Sequence, residues 1–161
     1  MAVLNVNPTR MELTRLKKQL STALRGHKLL KDKRDELMRQ FLDMIRETKT
    51  LREEVEERLK SVNNDFVLAS SVMSKEELDT ALLAPKQEVY LEASTRNVMS
   101  VDIPVYSFKT RTSEQSDIFS YGFASTSFEL DDAVSGLSDL LPKMLKLAEM
   151  EKSVKLMADE I

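Results

Sequence analysis

From Thr9 to Leu83 the chain carries no proline and a single glycine, Gly26. A stretch so free of turn-making residues does not fit a compact fold of several short elements. Its apolar residues recur in alternate steps of three and four. Starting at Leu13, the series runs through Leu16, Leu20, Ala23, His27, Leu30, Arg34, Leu37, Phe41, Met44, Thr48, Leu51, Val55, Arg58 and Val62. Eleven of these fifteen positions are apolar. A 3.5-residue repeat kept up over about seven heptads is the narrow seam of a coiled coil. Pro8 leads in, Thr9 can cap the first turn, and Glu12 stands at the capping-box spacing. The next stop is Ala84-Pro85. A helix of this span is about 110 Å long, at 1.5 Å per residue. No domain that 161 residues can build is that wide, so most of the helix must project.

Past Pro85 the pattern changes. Glu88-Val89-Tyr90-Leu91-Glu92 and Met99-Ser100-Val101-Asp102-Ile103-Pro104-Val105 alternate apolar and polar residues, the period of a half-buried strand. They predict a small hairpin near 87–106, with its turn at Thr95-Arg96-Asn97. Pro104 places the second run at a sheet edge or at a strand end. Residues 107–126, rich in Ser and Thr, read as a loop. From Ser127 a helix is expected, its first turn acidic with Glu129, Asp131 and Asp132. A second seam follows through Ala133, Leu137, Leu140, Met144, Leu147, Glu151, Val154, Ala158 and Ile161. Pro142 should kink or divide this helix, and Gly136 should weaken it.

The expected fold class is therefore all-α: a long antiparallel two-helix coiled coil with a small β-hairpin inserted between the helices. Residues 1–84 form the long helix, 85–126 the hairpin and loop, and 127–161 the start of a returning helix. The returning helix is about half as long as the first. Laid back antiparallel, it covers about 49–83, placing Phe66, Val67 and Leu51 opposite Leu137, Leu140 and Met144, and Val62 near Leu147. The seam at 13–48 then stays open. Seven large side chains left in water there, Leu13, Leu16, Leu20, Leu30, Leu37, Phe41 and Met44, forgo on the order of 10–20 kcal/mol of burial. That seam must find a cover.

Charge is divided unevenly. Residues 1–40 hold ten Lys and Arg against four Asp and Glu, a balance of +6. The remaining residues hold 14 against 23, or −9, which together give the net −3. No acidic residue occurs from Leu13 to Lys31. The basic residues Arg10, Arg15, Lys17, Lys18, Arg25, Lys28 and Lys31 can be a solvated face, a contact for an acidic protein surface, or a groove-binding helix for nucleic acid.

Catalysis finds little to work with. There is no cysteine, and His27 is the one histidine, set in the seam with no carboxylate within four residues. Gly26-His27-Lys28 lacks the rest of a phosphate-binding loop and falls inside a predicted helix. Glu53, Glu54, Glu56 and Glu57, beside Arg52 and Arg58, read as a salt-bridged helix face with nothing to build a pocket around them. No cofactor, metal site or catalytic residue is expected. No run reaches the ~18 apolar residues of a membrane span, and MAVLNVNPTR lacks the layout of a secretion signal. The chain reads as cytoplasmic, with any membrane role exerted through partners.

Two stretches carry a family resemblance. Val6-Asn7-Pro8-Thr9-Arg10-Met11-Glu12-Leu13-Thr14-Arg15-Leu16-Lys17-Lys18-Gln19-Leu20, continued by Arg25-Gly26-His27-Lys28-Leu29-Leu30-Lys31-Asp32-Lys33-Arg34-Asp35-Glu36-Leu37, resembles the N-terminal signature of the D subunits of V-type and archaeal-type ATPases. Leu140-Leu141-Pro142-Lys143-Met144-Leu145-Lys146-Leu147-Ala148-Glu149 is similar to the start of that family's return helix. The resemblance implies a non-catalytic central rotor shaft, an antiparallel coiled coil that enters a hexamer of catalytic and nucleotide-binding subunits. It also implies a clamp by the small F subunit and a connector leading to the ion-translocating membrane ring. By the same resemblance the basic residues Arg10 to Lys31 contact the hexamer. The coiled-coil seam is assigned to Leu13, Leu16, Leu20, Leu30, Leu37, Phe41, Met44, Leu51, Val55, Val62, Leu137, Leu140, Met144, Leu147 and Val154. Family members continue past the position of Ile161, so the chain reads as C-terminally truncated. The readings left beside this one are a coiled-coil adaptor that pairs in trans and a basic-helix nucleic-acid binder.

Overall fold

The computed structural model describes residues 8–112, 114–122 and 126–161. Val6 and Asn7 of the N-terminal motif, and residues 113 and 123–125 of the predicted loop, lie outside the described residues. The chain is mostly helical: α1 spans Arg10–Val72, α2 Lys75–Leu82 and α3 Phe128–Glu160, with strands β1 (Val89–Val98) and β2 (Val101–Thr110) between α2 and α3. Thr9 caps α1 by accepting the Glu12 backbone N–H at 3.3 Å. At 63 residues, α1 is about 95 Å long.

α1 stops at Val72, twelve residues short of the predicted end at 84. Met73 and Ser74 turn to extended backbone, and α2 starts again behind a full capping box. The Ser74 hydroxyl accepts the Glu77 N–H at 3.3 Å, and the Glu77 carboxylate takes the Ser74 N–H at 2.9 Å. That S-x-x-E spacing competes with helix continuation and wins. α2 then closes over the end of α1, burying Ala69, Met73, Ala81 and Leu130 in one cluster.

This early turn resets the pairing of α3 on α1. Lys33 pairs with Glu160, Leu37 shares a core cluster with Met157, Val62 meets Gly136, and Ala69 meets Leu130. The two helices are antiparallel, and α3 lies along about 33–72 of α1 rather than 49–83. Val62 faces Gly136 instead of the Leu147 region. Val67 and Leu137 are exposed, Phe66 and Met144 are more than a third exposed, and only Leu140 of the proposed facing layers is fully buried. Pro142 does not divide the return helix, because α3 runs through it unbroken. It removes one helical N–H, which α3's packing on α1 tolerates.

The hairpin is longer than predicted, and its turn lies further on. Ten residue pairs run in unbroken register from Val89–Thr110 to Val98–Val101, so the turn is Met99-Ser100 rather than Thr95-Arg96-Asn97. Both turn residues have positive φ, 52° and 73°, as a two-residue type I′ loop demands. Asn97 supports them, its side-chain oxygen accepting the Ser100 N–H at 3.1 Å. Val101 and Ile103 are buried against Leu37 and Met157, so the hairpin tip closes the core at the far end of α3. Residues beyond Thr110 include a short 3-10 turn at Gln115–Ile118 rather than loop alone.

Gly136 marks a close contact between the helices. A Cβ there would stand 2.7 Å from Val62 Cγ2, and Val62 is buried, short and stiff at χ1. Gly136→Ala gains helix propensity of about 1 kcal/mol, yet overpacking of about 1–3 kcal/mol should prevail. The expected result is a lower Tm, partly restored by adding Val62→Ala. A raised Tm for the single variant would contradict this approach of the helices.

Candidate partner-binding surface

The register splits α1 into two chemically different halves. From 33 on, α3 and the hairpin cover the seam: Leu37, Val55 and Val62 are buried, and Phe41, Met44 and Leu51 are half-buried. On α3, Leu140 is buried, Leu147 and Val154 are half-buried, and Leu137 and Met144 face outward. Before residue 33 none of the described residues lies over the seam. Leu13, Leu20, Leu24, Leu29 and Leu30 are 53–70% exposed, and Leu16 is half-buried. Isolated apolar residues are normal at a surface; Leu13, Leu16, Leu20 and Leu30 recur at the seam spacing and form a row that calls for a cover, whereas Leu29 lies on the opposite side of the helix.

The charge pattern changes at the same place. Arg10, Arg15, Lys17, Lys18, Arg25, Lys28 and Lys31 are all exposed on the open half of α1. Among the described residues, Arg15 alone of the seven is ion-paired, with Glu12. Beyond residue 33, acids and bases pair within the chain. Hydrogen bonds from Arg39 and Gln40 hold the Glu36 carboxyl down at about 2, and Asp43 pairs with Arg46. Arg52 reaches Glu151 and Lys143 reaches Glu54 across the helix pair. The open half thus offers unneutralised cations beside an apolar row, a surface complementary to an acidic partner.

The opposite end, where α1 turns into α2, exposes Val67, Leu68, Val72, Leu83 and Phe128. No sequence expectation places a site there. The Ser74 capping box was the signal that could have located this end. His27 stands exposed on α1, and no three His, Asp or Glu side chains among the described residues gather to hold a metal. Among those residues no helix is long and apolar enough to cross a membrane.

The profile of the ATP synthase D-subunit family matches residues 12–161. The chain belongs to that family. It is 61% identical over its whole length to the V-type ATP synthase D subunit of Acetivibrio thermocellus, covering 72% of that protein. Against the D subunit of Clostridioides difficile the identity is 59%, again over the whole chain and 72% of the relative. The Clostridium novyi D subunit is 54% identical, with 75% of it covered. The D subunit is a stalk component of a rotary ATPase and is not itself catalytic, in keeping with a surface made for partners.

Within this stalk component, Glu149 ties the hairpin to α3. Its carboxylate accepts the Tyr106 backbone N–H at 2.9 Å and the Lys146 ammonium at 2.5 Å. Partial burial pushes its pKa up, but the Lys146 and Tyr106 hydrogen bonds, aided by the charges of Lys146 and Arg96, outweigh this and leave it lowered. A depressed carboxyl contributes stability above its unfolded pKa and loses it as pH falls through the folded value. The Tyr106 amide resonance should therefore hold steady from neutral pH down past the ordinary glutamate value of about 4.3 and shift only below it. Glu149→Gln should abolish that titration. A midpoint above the ordinary value would contradict the assignment.

Proposed function

We propose that this D subunit is the central shaft of its rotary ATPase, with α1 and α3 wound as an antiparallel coiled coil. On this reading the long-helix segment 1–84 and the return-helix segment 127–161 transmit torque, and 85–126 branches off as the hairpin. The open end of α1, residues 10–32, enters the hexamer of catalytic and nucleotide-binding subunits. The opposite end, with Leu83 and Phe128, faces the connector to the membrane ring, and the F subunit clamps the pair between them. The shaft then couples ATP turnover in the hexamer to ion transport as a peripheral component on the cytoplasmic side.

The observation that carries this reading is the acid-free stretch of α1 from Leu13 to Lys31, on and beside which six of the seven basic residues Arg10, Arg15, Lys17, Lys18, Arg25, Lys28 and Lys31 have no ion pair among the described residues. An acidic lining around that stretch would neutralise its cations and cover Leu13, Leu20 and Leu30 together.

Reversing Lys17 and Lys18 to Glu removes charge from this end without touching the buried half of α1. Affinity for the catalytic hexamer should fall at least about tenfold at low salt, and the gap should narrow as salt screens the contact. Helix content should stay unchanged by circular dichroism. Equal affinity of variant and parent at low salt would contradict insertion by this end. Salt-sensitive retention of DNA, lost in the variant, would favour nucleic-acid binding instead.

A further inference from the structure

The hairpin has two outer edges, and they are treated differently. The Arg111 N–H donates to the Glu88 carbonyl at 2.9 Å, which fixes the phase of the ladder. Even-numbered residues of β1 bond inward to β2, and the backbone groups of Val89, Leu91, Ala93, Thr95 and Asn97 point outward. On β2 the matching outward positions are Asp102, Pro104, Tyr106 and Phe108. There Pro104 has no N–H to offer, and the Tyr106 N–H is taken by Glu149 on α3. The β2 edge is blunted. The β1 edge is not: it runs ten residues without proline, lysine or bulge, and every residue but Val98 is exposed. Natural sheets rarely leave such an edge unmanaged.

We propose that this edge pairs with the β1 edge of a second copy of the chain, joining two hairpins into one four-stranded antiparallel sheet. The sequence of β1 selects the register. With the two-fold axis at Ser94, Glu92 of each copy lies opposite Arg96 of the other, twice by symmetry. Ala93 then exchanges backbone hydrogen bonds with Thr95, and Leu91 with Asn97, using the groups that point outward. Glu92 and Arg96 fall on the non-hydrogen-bonded pairs, where side chains stand closest. Moving the axis to residue 92 or 96 places like charges against each other. In each chain the Glu92 carboxylate already takes Lys109 at 2.7 Å and remains exposed enough to take a second cation. A partner docked on the same strand excludes this pairing, so the pair is a form of the free chain. The proposal rests on the hairpin alone and stands apart from the shaft reading.

Sedimentation equilibrium over a concentration series tests it. Every chain carries Leu20→Asp, so that the open row on α1 cannot drive association. The Leu20→Asp chain should dimerise. Glu92→Arg and Arg96→Glu, each added alone, should weaken dimerisation about tenfold. An equimolar mixture of the two should recover it, because both cross-copy pairs become opposite again. Ala93→Pro should also weaken it, since the lost N–H points outward and the β1–β2 ladder is spared. A monomeric Leu20→Asp chain, a mixture that associates no better than its components, or an Ala93→Pro chain that dimerises undiminished would each overturn the proposal.

Discussion

A helix of 63 residues is packed against one of 33. The shorter helix can cover only part of the longer, and its position decides which part. The contact of Gly136 with Val62, the burial of Leu130 on Ala69 and the clustering of Met157 with Leu37 all hold α3 on the C-terminal portion of α1. The hairpin docks at the far end of α3, through Val101 and Ile103. Among the described residues α3 and the hairpin cover α1 from about residue 33 onward.

The energetics suit a mechanical element. Two small clusters, around Leu37–Met157 and around Ala69–Leu130, stand toward the two ends of the helix pair, with Val55, Val62 and Leu140 buried between them. The ion pairs along the helices are largely exposed and screened by water, so each adds little to stability. Cross-helix pairs such as Arg52–Glu151 and Lys143–Glu54 bear on register more than on stability. A thin pair of this kind depends on partners for further burial, as befits a stalk component. Such a component works by holding others in register.

Much of this was legible in the sequence. The heptad spacing of Val55 and Val62 specified a buried stripe, and the scarcity of Gly and Pro specified a long helix. The seam expected to stay open over 13–48 is instead covered from about 33, where Leu37 is buried and Phe41 and Met44 are half-buried. The failures have physical causes. Periodicity carries through a capping box, so the break at Met73-Ser74 was overrun, although the Ser74–Glu77 spacing could have shown it. That overrun displaced α3 by more than a heptad and put Leu137 and Met144 in a core they do not enter. The hairpin turn was missed because type I′ geometry falls on Met99 and Ser100, neither of them Gly or Asn. Its support comes from the Asn97 side chain, a contact that only the folded register reveals. Gly136 read as a weakness in a helix, yet it leaves room for Val62 of α1.

If α3 covers α1 from about residue 33 onward and leaves the N-terminal portion for the hexamer, the two portions must differ in backbone protection. Hydrogen exchange resolved along α1, in the free chain and in complex with the catalytic hexamer, tests this most directly. In the free chain, amides of 37–69 should be strongly protected and those of 10–32 weakly. On binding, protection should rise in 10–32 while 37–69 changes little. Uniform protection along free α1, or a gain confined to 37–69, would contradict the account.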